Sequence, residues 1–402
     1  MRFILTIIYN IGHNLEKTNY HLFFGFIFLS LFVLIQSVML RIIRIALLLL
    51  LVQPVFAQKG KPLRIGIAGL THTHVHWLLG SAARGDVEIV GISESNRELA
   101  KRYLTQYKMD MRLVYNSLPE MLQKTKPEAV AAFGSIEEHL AVVQNCAPAG
   151  VHVMVEKPLA VSLDHALQMK ELAEKHKIHL LTNYETTWYS TNHKTFDLVT
   201  KDSSIGRIRK MVVHDGHEGP KEIGVNKEFL HWLTDPVANG GGALMDFGCY
   251  GANLVTWLMA GQRPESVLAI TRQFKPHIYP NVDDDATILV QFPGMQAVIQ
   301  ASWNWPFSRK DMEVYGETGY VFSDNKADLR FRFKPDTLER RSALPPLAAP
   351  FDDPFAYFAG VVRGSIRIPP YDPSSLENNM IVMEILEAAK KSAREGRKIM
   401  LQ

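Results

Sequence analysis

The residues of this sequence that could do chemistry lie in two short stretches, each at the end of an apolar run. Gly69-Leu70-Thr71-His72-Thr73-His74 follows the run 63–68. A dinucleotide site there takes the spacing G-x-G-x-x-G, because glycines let the backbone approach a pyrophosphate at a helix N-terminus. Only Gly69 keeps that pattern, with Thr71 and His74 standing where the other two glycines would be. Glu94 closes the next apolar run, 25 residues after Gly69. An acid at that distance accepts hydrogen bonds from the adenosine ribose and repels a 2′-phosphate, which favours NAD over NADP. An exposed loop carboxylate is the alternative reading of Glu94. The alternation His72, His74, His76 also allows a metal site, since H-x-H after a first strand can offer neutral imidazole ligands. No later strand end adds a suitable His-plus-Asp set, so no metal is expected. The histidines are assigned instead to a cofactor loop or to capping the following helix. The second stretch is Glu156-Lys157-Pro158, which ends the run 151–155 and sets a charged pair at the carboxyl end of a strand, where doubly wound sheets bind ligands. Pro158 restricts Lys157 to an extended backbone and so holds it rigidly.

The elements that must position these groups alternate. Strands are expected at 63–69, 87–93, 129–133, 151–155 and 178–182, and helices at 76–83, 97–106, 118–125, 137–147 and 163–176. Parallel strands need crossover connections, and helices supply them, so this order predicts a doubly wound parallel sheet. After Tyr184 the pattern changes to β-rich runs at 210–214, 267–272, 286–292, 296–303, 311–315 and 320–323, the signature of a largely antiparallel sheet. A final amphipathic helix spans 376–395.

Of 402 residues, 47% are hydrophobic and 21% charged, which gives the chain enough apolar surface for a large globular core. Lys+Arg 44 against Asp+Glu 41 leaves a formal charge of +3 without a basic block, so nucleic acid is not an expected partner. Cys146 and Cys249 are the only cysteines, too few for a disulfide framework. The first 57 residues are far more apolar than the rest. Residues 22–40 carry no charge over a span about long enough to cross a bilayer. From Met39 the order is Arg41 and Arg44, an apolar stretch 45–52, Pro54 and the small-residue ending at Ala57, the layout of a secretory signal peptide. Met39 is read as the start, with residues 1–38 as upstream sequence or, alternatively, a membrane anchor. The mature chain is expected to be periplasmic or secreted.

The motif Glu156-Lys157-Pro158, with Glu137-Glu138-His139 after the preceding strand, resembles the Gfo/Idh/MocA oxidoreductases. The glycine-rich stretch 240–253 and the ending 384–396 carry the resemblance further. It implies an α/β fold: an N-terminal Rossmann-type domain over 58–183 and a C-terminal α+β domain over 184–402, with a large open mostly antiparallel sheet that serves dimerisation. The C-terminal motif D-x-G-x-H-x-x-D appears as Asp246, Gly248, Tyr250 and Asn253, a variant resembling the glucose–fructose oxidoreductase branch. The resemblance implies NAD or NADP as cofactor, with Gly69, Thr71, His72, His74, Glu94, His139, Glu156 and Lys157 around it, and a carbohydrate as substrate. Tyr250 would remove a hydroxyl proton and Asp246 would orient that hydroxyl. A phenol titrates near pH ~10 and needs a neighbouring cation to act at neutral pH, a role given to Lys157. A buried helix aromatic is the alternative for Tyr250.

Asn183, Tyr184, Trp188 and Asn253 are expected beside the substrate, with interdomain packing as the alternative for the first two. Trp303 and Trp305 could stack on a sugar face or fill the core. His217 and His231 could touch substrate or lie on the surface, and Asp283-Asp284-Asp285 reads as a solvated turn. The function expected is an exported oxidoreductase acting on a sugar carbinol. A redox-neutral, NAD-dependent glycoside-cleaving enzyme and a non-catalytic carbohydrate-binding relic are the alternatives. They stay open because the glycine loop is degraded and a chain exported unfolded reaches a compartment poor in free dinucleotide.

Overall fold

The computed structural model describes residues 29–40, 61–81 and 85–401. Residues 29–40 form an exposed helix, while the expected cleavage region lies outside the described residues. Among the described residues no helix is long and apolar enough to cross a membrane.

Residues 61–402 form one compact unit. Its first sheet contains β1 (Leu63–Ala68), β2 (Val87–Ser93), β3 (Val114–Tyr115), β4 (Ala129–Ala132), β5 (His152–Glu156) and β6 (Leu180–Asn183). The order is β3-β2-β1-β4-β5-β6 and every pairing is parallel. The order reverses between β1 and β4, which opens a crevice at the carboxyl ends of the strands. Polar caps set the crossover helices: Asn96, Ser117 and Ser162 each accept a hydrogen bond from a backbone N–H in the first turn of Arg97–Gln106, Leu118–Thr125 and Leu163–His176.

The second sheet contains β7 (Ile208–Gly216), β8 (Ser266–Arg272), β9 (Asp285–Phe292), β10 (Met295–Ser302), β11 (Arg309–Gly316), β12 (Gly319–Ser323), β13 (Asp328–Phe333), β14 (Arg340–Ala343) and β15 (Ile399–Met400). They run β14-β13-β12-β11-β7-β10-β9-β8-β15, antiparallel except for β7 against β10. Strands β3 and β15 escape a periodicity reading because two residues carry no period. β14, Arg-Arg-Ser-Ala, has no apolar face to read.

One apolar cluster runs from β4 and β5 through the helices Gly248–Leu258 and Leu376–Glu395 to β8, β9 and β10, so the two sheets share a continuous core. A second cluster lies on the other side of the first sheet. There Phe355, Phe358 and Val361 of the helix Pro354–Val362 pack with Ile65, Ile67 and Leu99. The chain after residue 183 therefore returns to cover one face of the first sheet.

The aspartate triplet is not a solvated turn. Asp284 is fully buried and accepts hydrogen bonds from the backbone N–H groups of Phe274 and Lys275. The Asp283 carboxylate accepts from Gly242 N at 2.9 Å and Leu244 N at 2.7 Å. It thereby fixes the glycine turn that leads into Asp246. A Cβ on Gly242 would lie 1.8 Å from the Asp283 carbonyl oxygen, so this crossing admits only glycine. Gly242→Ala is expected to lower stability by about 1–3 kcal/mol, the usual cost of overpacking, read as a shift in the urea midpoint at unchanged slope.

Candidate functional site

Two cavities open at the carboxyl end of the first sheet. The larger, about 560 Å³, is lined by the turns after β1, β2 and β4. Gly69 has φ +79°, and a Cβ there would lie 2.7 Å from Gly134 N, so the one retained glycine is where the two turns cross. Glu94 is only 8% exposed, against its reading as an exposed loop carboxylate. It accepts hydrogen bonds from Leu70 N at 2.9 Å and Asn96 N at 2.7 Å. Burial raises its carboxyl above the usual range, and nearby Glu138 and Glu228 push in the same direction against those two bonds. His139 donates Nδ1–H to the Leu159 carbonyl at 3.1 Å, which leaves its buried Nε2 as an acceptor without a partner. Burial holds this imidazole neutral, with its pKa lowered to about 4. A close backbone crossing, a seated acid and an orphan acceptor suit a ligand rich in ribose hydroxyls, so the residues present fit a dinucleotide. Glu94, Gly69, Thr71 and His139 all line this cleft.

The smaller cavity, about 160 Å³, brings together Lys157, Asp246, Tyr250, His72 and His74 with His217, Phe247 and Lys310. The ammonium of Lys157, only 6% exposed, bonds the Asp246 carbonyl at 3.0 Å and also its carboxylate. The other Asp246 oxygen accepts Trp303 Nε1–H at 3.0 Å, which makes Trp303 a buried support rather than a sugar platform. Burial alone would lower the Lys157 pKa, but Asp246 outweighs it and the pKa is raised. Asp246 is lowered in turn, against its own burial, chiefly by Lys157. Both partners therefore stay charged at neutral pH.

Tyr250 departs from its expected role. Burial pushes its phenol well above the ordinary value, and the carboxylates of Glu185 and Asp246 push it further. Lys157 lies 5.1 Å from the ring centroid, with its charge committed to Asp246. The Tyr250 hydroxyl therefore stays protonated near neutrality, which disfavours a Lys157-assisted phenolate.

Glu156 lines neither cavity and is 1% exposed. Its Oε2 meets His74 Nδ1 at 2.9 Å and its Oε1 accepts Asn183 Nδ2–H at 2.8 Å. Burial would raise its pKa, but His74, His72 and Asn183 overcome that and lower it to about 2. His72, His74 and Glu156 do bring three possible metal ligands together. However, His72 Nδ1 accepts the His74 backbone N–H at 3.1 Å. The ring proton therefore sits on Nε2, 4.0 Å from Glu156, and the nitrogen a metal would need is a donor.

The expected substrate residues lie behind this wall. Asn183 Oδ1 accepts Trp188 Nε1–H at 3.0 Å, buried Tyr184 packs edge-on against Tyr250 at 5.5 Å, and Asn253 donates to the Pro373 carbonyl at 2.8 Å inside a buried helix. None of the four lines either cavity, because each is engaged in holding another element. Their places are taken by His217, whose Nδ1 accepts Gly219 N–H at 2.9 Å, and by Lys310 on β11. A signal for Lys310 was present, since it shares the buried face of Met312 and Val314. The segment 217–233 walls both cavities, and Trp232 Nε1 and Asn226 Nδ2 bond the hydroxyl and the carbonyl of Thr71 across it, at 3.0 and 3.4 Å.

Because Glu156 is lowered on folding, its contribution to stability is present in full above the ordinary carboxyl value of 4.5 and is lost as pH falls towards about 2. Glu156→Gln is expected to lower stability at pH 7 and to flatten the acid limb of an unfolding curve followed by circular dichroism. An unchanged limb would refute the assignment.

Two family models match the chain: an oxidoreductase family with an NAD-binding Rossmann fold over residues 63–184, and a GFO/IDH/MocA C-terminal domain over residues 196–322. The bovine (Bos taurus) trans-1,2-dihydrobenzene-1,2-diol dehydrogenase is 26% identical over 236 residues, which is 58% of this chain and 65% of that protein. The human (Homo sapiens) enzyme of the same name is 25% identical over 234 residues, again 58% and 65%. Among solved structures, an aldose–aldose oxidoreductase from Caulobacter crescentus complexed with glycerol superimposes with TM-score 0.72 at 21% identity, covering 85% of this chain and 100% of that one. An inositol dehydrogenase homologue complexed with NAD+ from Azotobacter vinelandii gives 0.73 at 17%, covering 85% and 98%. At these identities the superpositions speak for the fold. With both halves matched in order, the chain belongs to the Gfo/Idh/MocA family of oxidoreductases.

Proposed function

We propose that this chain is an NAD-dependent oxidoreductase that transfers hydride between the nicotinamide and the carbinol carbon of a polyhydroxy compound, a sugar or a sugar derivative. The observation that carries this reading is the buried Lys157–Asp246 pair facing the same cavity as Tyr250, His72 and His74, beside the cleft that fits a dinucleotide. When bound, the cofactor supplies the hydride acceptor. Asp246 fixes Lys157, and Lys157 with the Tyr250 phenol can hydrogen-bond the reacting oxygen and hold it in place. His217, with its acceptor nitrogen taken by Gly219, offers Nε2–H to the same oxygen or its neighbour. In the reducing direction Lys157 can give its proton to the carbonyl oxygen; in the oxidising direction it must first be neutral. The relatives support a polyol, since the bovine one is named for a vicinal diol and the solved neighbours for an aldose and an inositol.

NAD is favoured over NADP because Glu94, Glu138 and Glu228 line the cleft and, among the described residues, no Lys or Arg does, so a 2′-phosphate would meet like charge. Export through residues 39–57 and a homo-oligomer built on the open outer face of the second sheet, where Tyr320 stacks on Phe322, are part of the same proposal. A redox-neutral glycoside cleavage is the second reading. It is favoured by the segment 217–233, which bonds Thr71 on one side and Lys275 on the other and would retain a cofactor through turnover.

The decisive experiment is to denature the purified protein, assay the released nicotinamide dinucleotide, and titrate the stripped protein with NAD and NADP. NAD is expected to bind at least ~10-fold tighter, a difference of about 1.4 kcal/mol, and Glu94→Ser should narrow the gap. No cofactor and no binding would sink both enzymatic readings. With a polyol panel, NADH formation should rise with pH and still be rising at pH ~10, as a raised lysine requires; a plateau near neutrality would point to a histidine instead. Lys157→Met should abolish turnover and leave NAD binding intact. Glycoside cleavage without net NADH would select the redox-neutral reading.

A further inference from the structure

The Tyr250 ring has two lysine ammonium groups near it, each paired with a carboxylate, and the motifs of the sequence account for only one of the pairs. Lys310 stands on β11 directly opposite Asp215 on β7, on the face that carries Met312 and Val314 into the core. A lysine there needs a partner, and its ammonium pairs with Glu185, just past β6. Tyr189 donates its hydroxyl to Glu185 at 2.7 Å. Burial would raise the Glu185 pKa, yet Lys310 and Tyr189 bring it to about 2, so Glu185 meets the ammonium as a carboxylate near neutrality. Asp215 makes no hydrogen bond to Lys310: neither of its buried oxygens has a hydrogen-bond partner, and burial pushes its pKa well up.

An ammonium has three N–H donors. Glu185 is the one hydrogen-bond acceptor that Lys310 meets among the described residues, and Lys310 lines the smaller cavity, so it has donors left over for a ligand. Lys157, with two bonds to Asp246, has fewer to spare. The two ammonium nitrogens lie 5.1 Å and 4.8 Å from the same Tyr250 ring centroid and are therefore at most 9.9 Å apart. One small polyol can reach both.

Resting on the reading above, we propose that Lys310, positioned by Glu185, binds a second hydroxyl of the substrate while the reacting hydroxyl sits at Lys157, and so selects polyols over simple alcohols. Lys310 is the group that touches substrate. Glu185 is a positioning residue that holds its ammonium.

The test uses the full chain loaded with NAD and titrated calorimetrically with D-glucose, myo-inositol and their monodeoxy analogues, with NADH formation followed in parallel. Lys310→Met is expected to weaken polyol binding at least ~10-fold, raising KM with kcat little changed and NAD affinity unaltered. Lys310→Arg, which keeps the donors and the pairing with Glu185, should restore most of the binding. One monodeoxy analogue should bind wild type poorly and lose nothing further in Lys310→Met. Equal losses for every analogue, no loss in Lys310→Met, or no polyol binding by the NAD-loaded wild type would each overturn the proposal. Should Lys310→Met not fold, the comparison of Lys310→Arg with Lys310→Gln decides it, with matched polyol affinities counting against. Failure to bind NAD at all would instead bring down the reading on which the proposal rests, and the proposal with it.

Discussion

The site depends on one buried ion pair. Lys157 follows β5 and Asp246 ends the short helix Ala243–Asp246, 89 residues apart in sequence. Neither could stay charged in that position alone, because removing an isolated charge from water costs far more than a fold can supply. Their attraction outweighs both desolvation terms, which requires the carboxyl end of β5 and the glycine turn before Asp246 to stay in fixed register. Trp303 on Asp246 and Asp283 on the glycine turn are the visible means of that fixation.

The same constraint explains why the substrate residues are not where their neighbours in sequence suggest. A charged wall this close to the core must be braced, and Asn183, Trp188, Tyr184 and Asn253 are the braces. Glu156 is the clearest case: a charge at the end of a strand, turned away from both cavities and held by His74 and Asn183. The two polar groups that join the motif residues at the cavity, His217 and Lys310, come from segments whose local sequence is ordinary, the end of β7 and one strand position on β11.

Across the crevice the charge pattern differs. The larger cleft, lined by Glu94, Glu138 and Glu228, is acidic, while the smaller cavity holds two lysines, each paired with its own carboxylate. Thr71, where a dinucleotide loop would carry its second glycine, is bonded instead to Trp232 and Asn226 of the segment 217–233.

Much of the architecture was legible in the sequence. The helices 97–106, 118–125, 163–176 and 376–395 and the strand 87–93 have the bounds that local apolar period and polar caps prescribe, since both are set by residues within a few positions of each other. Lys157 and Asp246 could be singled out for a similar reason, as each sits in a compact motif, and the structure pairs them. What the tertiary structure decided was the electrostatic state and the company of those groups: that Lys157 serves Asp246 rather than Tyr250, that Tyr250 stays protonated, that the aspartate triplet is buried, and that Lys310, whose place on a buried strand face was readable, meets Glu185. Those outcomes depend on burial and on distances between residues far apart in the chain, and no local pattern encodes either.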